Sequence, residues 1–288
     1  MKRLLILALA ALLLRPALAA ERIDPARADP AQVNPAADVA AMTAYFQKKF
    51  PHVPPADFVN GPYAMDAGMR AQWQQIMQFP PYQFALDHGK DLFATAFPNG
   101  RHYADCLPRG GIGIAAAYPR FDAKTGRVVT LEIAVNRCRV ANGLAKLKLT
   151  TGDMADLMAY LTDRSRGQPI AVVVPDDPRA LAAYQRGKAY FYSRRGQLNF
   201  SCASCHVQGA GQHLRGDVLA PARGLIAAFP IYRSDWGSMG TVVRRFIGCN
   251  EQVRVVPERP DSADYRDLEY FLAYMNNGLP VAGPGTRP

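Results

Sequence analysis

The sequence predicts a mainly α-helical protein built as two copies of one unit in tandem, and three observations carry that expectation. Residues recur at a constant offset of 111: Cys138, Asp156, Leu157, Leu161, Gly167 and Pro169 return without a gap as Cys249, Asp267, Leu268, Leu272, Gly278 and Pro280. Each copy closes on an apolar stripe at helical spacing, Leu157, Tyr160 and Leu161 in the first and Leu268, Phe271, Leu272 and Met275 in the second. Upstream, Gly89-Lys90-x-x-Phe93 recurs as Gly187-Lys188-x-x-Phe191 at a shorter offset of 98, as loop insertions between two related copies would produce.

In chain order, residues 1–19 read as a secretory signal peptide: Lys2 and Arg3, an apolar run over 4–14, and small residues Ala17 and Ala19 at the cleavage positions. The run is shorter than the roughly 20 residues a bilayer requires, so an exported, periplasmic protein without an integral membrane segment is expected. Loss of Lys2, Arg3 and Arg15 lowers the formal charge from +10 to +7. Such an excess suits anionic substrates or an acidic protein partner, whereas the lack of a Lys/Arg block excludes nucleic acid. Residues 20–62, rich in Pro and Ala, are expected to form an arm over the surface with one short helix over 38–49.

The first unit, 63–175, should hold helices over about 66–79, stopped by Pro80-Pro81, and 83–97. A loop bearing Cys106 follows. The turn at 122–126 and the alternation of Val129, Leu131, Ile133 and Val135 then read as a small β-hairpin. Pro175-Asp-Asp-Pro178 marks the boundary. In the second unit, 176–288, Asp177 can cap a helix running from Pro178 to about Arg194, directly into Cys202-Ala-Ser-Cys205-His206.

Cys-x-x-Cys-His is the attachment signature of c-type haem, in which two thiols add to the porphyrin vinyls and the adjacent imidazole becomes the proximal iron ligand. A thioredoxin-like pair would want a surrounding βαβ pattern, and half a zinc site would want a second Cys/His pair at similar spacing. With haem in the second unit, the expected fold is two tandem class I cytochrome c-like domains, the first without haem and carrying the small hairpin. At the first haem position stands Cys106-Leu-Pro-Arg-Gly110, with neither second cysteine nor histidine. Cys106 and Cys138 are then either unrelated buried thiols or a disulfide, the economical arrangement in an oxidising compartment.

Thioethers at Cys202 and Cys205 leave Cys249 as the odd cysteine, a reactive thiol, an axial ligand opposite His206, or both. Arg245 lies four residues earlier, on the same face if the stretch is helical, where a guanidinium stabilises a thiolate and receives an oxyanion. Arg233, Arg244 and Arg254 either add to this field or are solvated charges. A plain electron-transfer cytochrome would instead use a methionine as sixth ligand, with Met239 and Met275 as candidates. Met275 lies on the apolar stripe and suits the core better.

Beyond the haem signature, Phe229-Pro-Ile-Tyr-Arg233, Trp236-Gly-Ser-Met-Gly-Thr241, Arg245-Phe-Ile-Gly-Cys249-Asn and Asn277-Gly-Leu-Pro280 with Pro284-Gly-Thr-Arg287 resemble the SoxA family, cytochrome subunits of the bacterial thiosulfate-oxidising Sox system. The resemblance covers essentially the whole mature chain. It implies an L-cysteine S-thiosulfotransferase that joins thiosulfate to a cysteine on the arm of a SoxYZ carrier protein, in a heterodimer with a smaller SoxX cytochrome. By position it makes Cys249 the catalytic cysteine and distal haem ligand, carried as a persulfide, and Arg245 the substrate-binding residue. Cys202 and Cys205 hold one covalent haem c and His206 is its proximal ligand. Family members carry haem in both domains or only in the second; this sequence resembles the single-haem form, with a Cys106–Cys138 disulfide in the first. A subunit that merely positions its partner's haem is the remaining alternative, and it would leave Cys249 dispensable.

Overall fold

The computed structural model describes residues 33–287, so the expected signal peptide and the beginning of the arm lie outside the described residues. Helix α1 (Pro35–Lys49) begins at Asn34, whose side chain accepts from the Ala37 amide at 3.0 Å. It is more than a strap over the surface. Met42 and Phe46 are buried in the core of the C-terminal half, and Asp38 binds Tyr184 Oη at 2.8 Å and Lys188 Nζ at 2.7 Å. The first described element therefore packs with the C-terminal half.

Short α2 (Pro62–Met65) leads to α3 (Ala67–Ile76), started by Asp66 accepting from the Met69 amide at 2.8 Å. Helices α4 (Gln83–Ala94) and α5 (Tyr103–Cys106) follow. Strands β1 (Arg120–Asp122) and β2 (Arg127–Val129) form the expected antiparallel hairpin, pairing Arg120 with Val129. The expected second strand, however, does not continue through Leu131 and Ile133 to Val135. Thr130 ends it by capping α6 (Leu131–Ala141), its hydroxyl accepting from the Ile133 amide at 3.4 Å. Leu131, Val135 and Cys138, spaced four and three apart, are the buried apolar positions of this helix, and Leu131 and Val135 fit the short alternation equally well. Helix α7 (Asp153–Asp163) closes this half.

The second half repeats the order. Helix α8 (Pro178–Tyr192) starts at Asp177, whose carboxylate accepts from the Arg179 amide at 2.8 Å. Small hairpin β3 (His213–Leu214) and β4 (Asp217–Val218) follows the haem-type motif. Strands β5 (Ile231–Arg233) and β6 (Ser238–Gly240) precede α9 (Val242–Gln252), α10 (Ala263–Met275) and β7 (Gly285–Arg287). The sheet order is β6-β5-β7, antiparallel then parallel. Every element from β1 to α7 has its counterpart among β5 to α10, at the 111-residue offset to within about a residue. Among the described residues, no helix is long and apolar enough to cross a membrane.

Two features position the site. In each half the first long helix crosses the last at a glycine: a Cβ on Gly89 would stand 2.0 Å from the Asp156 carbonyl oxygen, and one on Gly187 would stand 1.9 Å from that of Asp267. Only glycine allows backbones this close. The halves then join along a two-fold seam. The Gly167 amide donates to Val281 O at 2.9 Å and the Gly278 amide to Ile170 O at 2.9 Å; Ile170 N meets Leu279 O at 2.8 Å and Val281 N meets Gln168 O at 2.9 Å. Each bond has its mate at the same offset, so the contact is isologous within one chain.

Candidate haem site

Helix α8 delivers the chain into a tight loop, where Arg195 and Phe200 bridge (Arg195 N to Phe200 O, 2.9 Å) and Asn199 takes a positive φ of 50°. Ser201 and Ser204 then cap one another, each hydroxyl accepting the other's amide at 3.1 Å. From Ser204–Gln208 the backbone makes one wide turn, closed by the Gly209 amide on Ser204 O at 2.9 Å, which carries Cys205 and His206. Helix α1 holds this turn from outside: Lys49 Nζ donates to Val207 O at 3.0 Å and Gln208 O at 2.7 Å.

His206 Nδ1 lies 2.8 Å from the Ala220 carbonyl. A carbonyl only accepts, so Nδ1 carries the hydrogen and Nε2 keeps its lone pair. Burial, with Arg245 adding to it, pushes the imidazole down to about 4, so it is neutral, as a metal ligand must be. Burial pushes the Cys202 thiol up to about 12 and Cys205 upward as well, and in both Cys249 adds to the effect. Cys202, Cys205 and Cys249 are all unpaired and partly exposed.

Cys249 lies on α9 one turn after Arg245, so the expected helical face is present. Arg245 acts electrostatically on both Cys205 and His206, and among the described residues it forms no ion pair. The positive field therefore faces the cysteines without a carboxylate to cancel it. The donor set fits a covalently held haem: two thiols free to form thioethers, an imidazole with its lone pair free, and a thiol on the neighbouring helix.

Arg195, which sequence reasoning missed, strengthens that fit. Its guanidinium stacks 3.5 Å from the Tyr190 ring and acts on Cys202, yet among the described residues its buried Nη1 has no partner. A buried guanidinium nitrogen without an acceptor is costly, and a ligand carboxylate would satisfy it. The Arg194-Arg195 pair at the end of an apolar helix, just before the motif, was the available signal.

Other expected residues lie elsewhere. Arg233 is held by Asp235 at 2.9 Å and Asp217 at 3.4 Å, so its charge is compensated, and Arg244 is occupied by stacking on Trp236 at 4.2 Å. Met239 is buried against Tyr82, Ala155 and Ala159, and Met275 is fully buried in the main core, which occupies both candidate sixth ligands with packing. Cys106 and Cys138 are joined by a disulfide, with Cα atoms 5.9 Å apart. Cys138 and Cys249 are the 111-residue equivalents on α6 and α9.

A family model described as the cytochrome c domain of SoxA/TsdA matches residues 88–170. The chain is 52% identical over 249 residues to the L-cysteine S-thiosulfotransferase subunit SoxA of Allochromatium vinosum, covering 86% of this chain and 88% of that protein. To the protein of the same description from Chlorobaculum tepidum it is 46% identical, covering 87% of each. Among solved structures, SoxXA from P. pantotrophus superimposes with a TM-score of 0.66 at 34% identity, over 73% of this chain and 79% of that chain.

Proposed function

The chain belongs to the SoxA family of L-cysteine S-thiosulfotransferase subunits, and from that premise we propose that Cys249 is its catalytic sulfur and Arg245 its substrate-binding cation. The observation that carries this reading is the cluster of three unpaired cysteines: Cys249 acts on both Cys202 and Cys205, and the unpaired Arg245 lies one helical turn away. Cys202 and Cys205 would hold one haem c covalently, and His206 and Cys249 would supply ligands to its iron, Cys249 carrying an additional sulfur as a persulfide. Arg195 Nη1 would bind a carboxylate of that group. When bound, the haem supplies a one-electron acceptor beside the sulfur.

The reaction oxidatively joins thiosulfate to a cysteine thiolate of a SoxYZ-like carrier, forming one sulfur–sulfur bond and releasing two electrons. Both partners are anionic, so their approach needs compensating positive charge. Arg245 supplies it, binding and orienting the sulfonate oxygens while leaving the terminal sulfur toward Cys249. One iron takes one electron at a time, so a second acceptor is required close by, in a SoxX-like cytochrome partner. The structure matched in P. pantotrophus is that of SoxXA, which supports such a heterodimer.

In the same reading, residues 63–175 and 176–288 are tandem class I cytochrome c-like domains after an arm over 20–62, and the disulfide takes the haem position of the first. Support comes from the family-model match, which falls on 88–170, and from the element-by-element repeat. The protein acts in the periplasm after loss of the signal over 1–19. Intact mass of the mature protein tests the inventory: one haem, one disulfide and one additional sulfur on Cys249 are expected, and a second haem or an intact Cys106 thiol would contradict it.

A further inference from the structure

At the two-fold seam lies a cavity of about 90 Å³. Its walls come from equivalent positions of the two halves, Pro119 with Pro230, Leu131 with Val242 and Ile170 with Val281, all at the 111-residue offset. Two carboxyls break this apolar symmetry. Glu132 enters from α6 where the other half has Val243, and Glu269 enters from α10 where the other half has Met158. Both are buried, at 6% and 7% exposure, and among the described residues neither Oε2 atom has a hydrogen-bond partner. None of the described residues lining the cavity is Lys, Arg or His; its other polar groups are the hydroxyls of Tyr118, Thr162 and Thr241, with Thr130 bonding Glu132 from its own helix cap.

Two buried carboxylates lining one cavity that holds no cationic side chain cannot both be ionised cheaply. We propose that Glu132 and Glu269 form a proton-binding site, a carboxyl pair that holds a shared proton across the cavity and makes the seam between the halves sensitive to pH. The cavity has room for bridging water, whose share of liquid volume is about 30 Å³, and the two free Oε2 atoms would hold it. Burial drives both groups above the ordinary carboxylate range, and Glu132 raises Glu269 further. The pair titrates as a unit. An unfolded glutamate loses its proton near about pH 4.3, whereas the folded pair keeps it to higher pH. The folded state then binds more protons, so stability falls as pH rises above that range.

The test uses the full-length holo-protein. Urea midpoints should fall as pH is raised from about 5 to about 8.5. The isosteric Glu132→Gln/Glu269→Gln double variant should flatten that profile and unfold at higher urea at the alkaline end. Infrared spectra of the wild type at about pH 8 should show a protonated carboxyl C=O band, above the range in which Asp267, pushed up to about 6, remains protonated. The wild-type band serves even if the variant fails to accumulate. No such band, or an unchanged pH profile in the variant, overturns the proposal. So does a midpoint raised by added Ca²⁺ without the band, which would assign the cavity to a cation.

Discussion

At the residue scale the proposed chemistry centres on α9, where Arg245 and Cys249 lie one helical turn apart on one face. Replacing Arg245 by alanine removes the unpaired cation but touches neither the thioether cysteines nor His206. Charge-assisted hydrogen bonds contribute about 1.5–3 kcal/mol, so kcat/KM for thiosulfate should fall by roughly ten- to a hundredfold with the haem spectrum unchanged. Steady-state kinetics on the variant checks this; lysine at the same position should recover part of the loss. Arg195→Leu should instead perturb the haem spectrum, since its orphaned Nη1 is assigned to the cofactor. The cysteine pattern and the i, i+4 spacing were legible from the residues alone. The competition for the remaining arginines was not, because Asp217 reaches Arg233 from another hairpin and Trp236 reaches Arg244 across a strand turn.

At the scale of elements, the two glycine crossings fix how each half closes. A methyl at Gly187 would meet the Asp267 carbonyl at 1.9 Å, and that oxygen belongs to helix backbone, which cannot swing aside. Gly187→Ala should cost about 1–3 kcal/mol or more and loosen the haem half; Gly89→Ala should destabilise the first half to a similar degree with little effect on haem absorption. Urea unfolding followed both by haem absorption and by far-UV circular dichroism separates the two. The disulfide belongs to the same scale. It bridges α5 and α6 across a separation of 32 residues. Chain-entropy arguments give it about 3–4 kcal/mol, so the Cys106→Ser/Cys138→Ser variant should melt earlier with its haem spectrum intact. The helix start at Asp177, with its cap, could be read in advance because capping is local chemistry. The stretch after Val129 could not: three apolar residues in alternation fit a strand as well as a helix, and Thr130 decided for the helix.

At the scale of the whole molecule, the repeat visible in the sequence becomes a physical two-fold seam, with reciprocal hydrogen bonds from Gly167 and Gly278. The offset announced two related halves. It did not announce that α1 packs with the C-terminal half, since that depends on Met42 and Phe46 finding a core far along the chain, nor that two glutamates meet at the seam. In the single-haem reading proposed above, one iron for a two-electron oxidation requires a second electron acceptor, so adding a SoxX-like cytochrome to the isolated chain, with thiosulfate and carrier present, should raise turnover from near background to full rate; equal rates with and without it would contradict that requirement. The sharpest measurement is thiosulfate-dependent cytochrome reduction by the Cys249→Ala protein, with carrier and partner present and haem content verified. Covalently bound haem, altered axial ligation and reduction at background rate are expected if Cys249 is the catalytic sulfur. Reduction at the wild-type rate would contradict that role and leave the subunit as an electron-transfer module.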